Sequence, residues 1–256
     1  MNLIYNYILS NYKLIMFVTC YYDIYNKPEK FIEYLYLFYD LGISGLPIIL
    51  FTDPSLVYKF RIFPSTVRVI GIPLSEFEIY KIAMSYNGNL PIGRSEKKDT
   101  KEFFGLMNAK IEFVKKAMDI VEDENLIWID FGILKIMKDP QRVLQKLKEI
   151  HAKKYTKIMM PGCWEYGKPF SVDSIHWRFC GGFFIIPRND VGRFYHHTKN
   201  VLTDFCTLPQ YKLTWETNVW TVIESCAEKQ NITWYSADHN DTIIMNIDRI
   251  VYELHV

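Results

Sequence analysis

The sequence contains no Cys-x-x-Cys pair, no excess of either charge, no unbroken apolar run of bilayer length and no low-complexity tract. Each absence closes a class. The five cysteines, Cys20, Cys163, Cys180, Cys206 and Cys226, are odd in number and widely spaced, which fits neither a zinc ribbon nor a dense disulfide framework. A reduced, cytoplasmic chain is therefore expected. Thirty Lys and Arg against 29 Asp and Glu leave a formal charge of +1, without the basic excess that a dedicated nucleic-acid binder uses on phosphates. Nucleic acid is not an expected partner. Residues 1–18 are partly apolar, but Asn2, Asn6, Ser10, Asn11 and Lys13 interrupt them, so neither an integral membrane segment nor a signal peptide is expected. Two sequons, at Asn231 and Asn240, would matter only in a secretory lumen and are read as chance. No phosphate-binding P-loop occurs, and no dinucleotide glycine fingerprint follows the first expected strand. Asp130-Phe131-Gly132 invites a kinase reading, but no HRD loop, VAIK strand or GxGxxG loop accompanies it.

What is present is a large apolar fraction, 49%, and an aromatic one of 16%. A low-GC coding bias accounts for the 18 Tyr and 17 Phe but not for six Trp. Flat apolar faces therefore enter the account of the site. The length is enough for a substantial core, and the composition is the reverse of a disordered chain.

Short apolar runs alternate with segments of helical period. Leu14–Cys20, Leu46–Phe51, Val67–Ile72, Leu126–Ile129, Lys157–Met160 and Gly181–Ile186 read as strands. Phe31, Leu35, Phe38 and Leu41 recur on one helical face within residues 28–41. Asp53-Pro54 and Asp139-Pro140 each place an N-cap before a proline, a helix start. Ser75 to Glu78 has capping-box spacing. A charged, Gly- and Pro-containing stretch at 87–99 reads as loop, and one long helix is expected over 100–121. Further helices are expected at 189–204 and 216–229, and short strands at 232–235 and 243–247. Strand–helix alternation predicts an α/β fold: a Rossmann-type, mostly parallel sheet with helices on both faces and a mixed C-terminal half. One domain over residues 1–256 is expected, with 1–13 as an N-terminal extension.

In open α/β sheets ligands sit beyond the carboxyl ends of the strands. Asp23, Asp53 and Asp130 fall there. Asp53 is equally an N-cap, and Asp23 equally a turn residue. Asp130 ends the most apolar strand, where an unanswered carboxylate is costly. A metal, a base or a buried cation must answer it; metal is the favoured reading.

The segments FVTCYYDI (17–24), ILFTD (49–53), NAK (108–110), LIWIDFGI (126–133), CGGFFIIPR (180–188), TWETNVW (214–220) and WYSADHN (234–240) together resemble the HtrL/YibB family, assigned to the GT-A-type nucleotide-sugar glycosyltransferases. The resemblance covers nearly the whole chain from about residue 15. It implies a GT-A-like sheet, a divalent cation (Mn2+ first, Mg2+ second) and an enzyme that moves a sugar, hexosyltransferase-like, from a nucleotide-sugar donor to a hydroxyl or glycan acceptor. UDP-sugars are the favoured donors. Asp130 takes the place of the last aspartate of a DxD motif, and His239 that of a late metal-binding histidine. The chain departs from the pattern in having no second carboxylate beside Asp130. One carboxylate, one imidazole, phosphate oxygens and water still make an octahedral shell suited to Mn2+ or Mg2+. His239 between Asp238 and Asn240 is otherwise an ordinary solvated loop residue.

By the same resemblance Thr19, Tyr21 and Asp23 match the place that holds base and ribose, with Asp53 beside them. Arg94 and Lys110 are candidates for the diphosphate; solvent exposure is the alternative for both. Asn108, Gly181 and Gly182 are placed toward the donor sugar; for Asn108, on the long helix, a solvated polar position is the default alternative. Two glycines at a strand start allow close approach of backbone to a ligand, or simply a bulge. Trp215-Glu216 resembles the acceptor and catalytic Trp-Glu pair of several GT-A families: Trp offers a flat face to sugar C–H bonds, and Glu accepts a hydroxyl proton. Glu216 is alternatively a first-turn acid favoured by the helix dipole. Trp177, with Trp164 and His176, flanks the loop before Gly181 and is a candidate acceptor contact. His196 and His197, adjacent on a helix, point apart. The alternative function is a catalytically inactive nucleotide- or sugar-binding module of the same fold. Sugar, base, acceptor, stereochemistry and oligomeric state are not encoded in these patterns.

Overall fold

A computed structural model describes residues 15–225 and 231–249. The expected extension 1–13, the end of the helix expected over 216–229, and Cys226 lie outside them. The chain alternates as anticipated: β1 (Ile15–Tyr21), α1 (Lys30–Gly42), β2 (Ile48–Thr52), β3 (Val67–Gly71), α2 (Glu78–Ser85), α3 (Lys101–Asn108), α4 (Lys110–Met118), β4 (Asn125–Ile129), α5 (Pro140–His151), β5 (Ile158–Gly162), β6 (Phe183–Pro187), α6 (Arg188–Thr207), α7 (Glu216–Ser225), β7 (Ile232–Ser236) and α8 (Thr242–Met245). The strands form one seven-stranded sheet in the order β3-β2-β1-β4-β6-β5-β7. β6 alone runs against the others, antiparallel to both β4 and β5. The fold is thus α/β with a mostly parallel sheet and a mixed C-terminal half.

Alternation along the strands separates two cores. Val18, Ile49, Trp128 and Phe184 pack on one face beneath α2, α3, α4, α6 and α7. Phe17, Leu50, Ile127 and Ile185 pack on the other beneath α1, α5 and α8. Nearly continuous apolar strands are what a sheet covered on both faces requires.

Both Asp-Pro devices work as caps. The Asp53 carboxylate accepts from Ser55 N at 2.9 Å and starts a 3-10 helix at Pro54–Phe60. Asp139 accepts from Arg142 N at 3.0 Å at the start of α5. The capping box at 75–78 does not form. α2 is capped from a distance, by the buried Glu112 carboxylate, which accepts from Glu78 N and Ile79 N at 2.8 Å each. The helix expected over 100–121 is interrupted at Ala109. There Asn108 Nδ2 donates to Phe104 O and Thr214 O, and such side-chain competition for a carbonyl one turn back loosens a helix. Residues 243–247, read as a strand, instead overlap α8. Asn240 Oδ1 accepts from Thr242 N at 2.9 Å and turns the chain, and a short apolar run after such a turn is compatible with either period.

Candidate functional site

β1 and β4 lie side by side, while the chain leaves β1 toward β2 on one side and returns to β4 on the other. That is the switch point at which open α/β sheets bind ligands. Because β6 runs backward, the residues before it, Cys180 to Gly182, meet the carboxyl ends of β4 and β5 at the same edge. Asp130 N donates to Gly182 O at 2.9 Å, and Cys180 N to Pro161 O at 2.7 Å.

The edge is organised around Lys110. Its Nζ lies 3.0 Å from Asp130 Oδ1 and 2.8 Å from Glu216 Oε1, and donates to Gly181 O at 2.8 Å. The Lys110 side chain is 1% exposed, Glu216 7% and Asp130 36%. Burial acts to lower the Lys110 pKa, but the two carboxylates outweigh it and hold the ammonium above its ordinary range. Asp130 Oδ1 also accepts from Trp128 Nε1 at 2.7 Å. The answer to the strand-end carboxylate is thus a buried cation supplied by the chain itself. The signal was available in the sequence: Lys110 shares its helical face with Phe113, Val114 and Ala117, all buried, so its charge had to find a buried partner.

Gly181 and Gly182, expected inside β6, precede it. A Cβ on Gly181 would overlap Glu216 Oε1, so the close approach this glycine permits is to a carboxylate of the chain. A Cβ on Gly182 would press on Ile133 and face Asp130 Oδ2.

The other sequence candidates are scattered by the fold. Thr19 is fully buried, and its Oγ1 has no hydrogen-bond partner among the described residues. Tyr21 sits in an aromatic cluster with Phe31, Phe60 and Phe131. Asp23 accepts from Lys27 N at 2.9 Å, a turn contact. Asp53 is the cap already described. Arg94 stays in the 87–99 loop, 3.8 Å from Glu96. Asn108 is fully buried and ties α3 to Thr214. Trp215, expected to face an acceptor, is only 6% exposed and packs edge-on against Phe104 at 5.1 Å. Trp128, Trp220 and Trp234 are also buried. Among the tryptophans only Trp164 and Trp177 remain half-exposed at the surface.

His239 stands in a group that the sequence reading did not assemble. Its ring packs edge-on against Trp177 at 4.2 Å, and it shares a small volume with Cys163 and Cys180. The two sulfurs are 3.6 Å apart. Hydrogen bonding to the Cys180 thiol, with His239 beside it, holds Cys163 below its ordinary range against the opposing effect of burial. Spacing gave no sign of this group because its members follow β5, precede β6 and follow β7.

No helix among the described residues is long and apolar enough to cross a membrane. No family profile and no curated protein matches the chain. Among solved structures it is similar to the bifunctional IspDF from Campylobacter jejuni, at a TM-score of 0.40 and 11% identity over 88% of this chain. The chain spans 50% of that protein's length. A likeness this distant carries no argument about activity.

Proposed function

We propose that the chain is a glycosyltransferase, moving a sugar from a nucleotide-sugar donor, a UDP-sugar first, to a hydroxyl acceptor. The observation that carries this reading is the buried Lys110, which fixes Asp130 and Glu216 at the carboxyl edge beside the β1/β4 switch point. A transferase needs charge held in place before a diphosphate leaves and a carboxylate near the attacking hydroxyl. The resemblance to the HtrL/YibB family supports the same activity.

The residues at this edge fit a hard divalent cation through one oxygen. Asp130 Oδ1 is engaged by Lys110 and Trp128, whereas Oδ2 faces the Gly182 backbone on a side chain 36% exposed. Donor diphosphate and water would complete the shell, and Mn2+ or Mg2+ there would neutralise the departing diphosphate. Lys110 is a positioning residue: it orients both carboxylates and holds the Gly181 carbonyl. Gly181 makes room for the Glu216 carboxylate and Gly182 for Ile133 beside Asp130. Glu216 is the candidate base, and it would have to yield part of its ion pair to take a proton.

That last requirement favours a second reading, a binding module that has lost turnover, since Lys110 engages both carboxylates. Calorimetric titration with UDP, GDP and their sugars, with and without Mn2+, tests the first reading. Saturable binding, together with sugar-nucleotide hydrolysis lost in Asp130→Asn, is expected. Binding without turnover selects the module, and no nucleotide binding by folded protein overturns both.

A further inference from the structure

We propose that Cys163, Cys180 and His239 form a binding site for a thiophilic divalent cation of the zinc class, with its fourth position open toward Asp238. One ligand atom from each of the three residues lies within 4.8 Å of the others. Two thiolates bound to zinc at about 2.3 Å with tetrahedral angles stand about 3.8 Å apart. The Cys163 and Cys180 sulfurs are 3.6 Å apart, so closing on a metal takes a shift of tenths of an ångström. A disulfide would need the same sulfurs to approach to about 2.0 Å.

The three ligands sit on tied ends of the sheet. Cys163 follows β5 and donates its N–H to Trp177 O at 3.0 Å, and Cys180 N donates to Pro161 O at 2.7 Å. Ala237, two residues before His239, donates to Gly162 O at 2.8 Å. The Trp177 ring braces the imidazole. Asp238 Oδ1 lies 3.6 Å from Cys163 Sγ and 3.9 Å from His239 Nδ1. It stands where it can supply a fourth ligand or accept from a metal-bound water. Cys180 is buried, Cys163 half-buried and His239 exposed, which leaves an entry path from solvent.

Two sulfurs and an imidazole are a soft donor set, suited to zinc and unsuited to Mg2+ or Mn2+. The site goes beyond the proposed transferase activity and is independent of it. It assigns His239 to the sulfurs and leaves the hard cation to Asp130 and the donor diphosphate.

The test is titration of the chelator-stripped, reduced full chain with Co2+ and then Zn2+. One equivalent of Co2+ should bind with the near-ultraviolet band of sulfur-to-cobalt charge transfer, and Zn2+ should displace it while Mn2+ should not. Cys163→Ser, Cys180→Ser and His239→Ala should each weaken binding by more than about 100-fold. Cys206→Ser, outside the group, should leave it unchanged. Because His239 is exposed, its variant keeps the fold intact and separates lost ligation from lost folding; circular dichroism of the metal-free forms checks this. A folded wild type that binds no Co2+, binding without the charge-transfer band, or Cys163→Ser and His239→Ala variants that bind as wild type would overturn the assignment. So would a Cys163–Cys180 disulfide in protein isolated under reducing conditions.

Discussion

Replacing Lys110 with Met keeps the side chain up to the Cε position and removes the charged Nζ from between two carboxylates. Breaking a buried pair by deleting one partner costs about 3–5 kcal/mol, because the remaining charge stays buried and unanswered. Asp130, at 36% exposure, is partly rescued by water, so Glu216, at 7%, carries most of the loss. A destabilisation near the lower end, about 3 kcal/mol at pH 8, is expected. Without Lys110 the Glu216 carboxylate is left unanswered in the interior, and that stranded charge is the source of the deficit. Adding Glu216→Gln should recover most of it at pH 8, since the stranded charge is gone. Urea unfolding at pH 8 followed by circular dichroism measures all three proteins. A deficit that does not respond to Glu216→Gln would refute the buried-pair account.

Gly162→Ala should be the more damaging of two glycine substitutions, since its Cβ would overlap the Arg178 carbonyl and the Trp234 indole nitrogen bonded to it. Gly181→Ala meets a carboxylate that can swing aside by loosening its hold on Lys110, a cost of about 1–3 kcal/mol; equal melting temperatures for the two would contradict this. Trp215→Ala should cost about 3–5 kcal/mol of stability, being a core truncation against Phe104. Trp177→Ala, half-exposed, should leave unfolding nearly unchanged, and thermal melts showing the reverse order would count against the placement of these rings. Burial lowers both His151 and His176 below the ordinary 6.5. Their neutral forms thus support the fold fully above pH 6.5, and the support drains away as pH falls through the depressed values. His176→Gln should flatten the decline in urea midpoint between pH 7 and pH 5, and an unchanged slope would remove His176 from the account.

The sequence by itself determined the alternation of elements and the class of sheet, because apolar period, Asp-Pro caps and turn residues act over a few residues each. It also placed Asp130 at a strand end and required that something answer its charge. What answers it was decided only in three dimensions: Lys110 and Glu216 are 106 residues apart, and neither side of the pair carries a local mark of the other. Helical period put Lys110 on a buried face, yet the partner depended on α7 starting over Gly181. Trp215 looked like a sugar platform until packing turned its ring into the core. The Cys163, Cys180 and His239 group has no spacing to betray it, since three strand ends supply one ligand each. Local patterns specify which residues must be buried; only the packed sheet decides which buried groups meet.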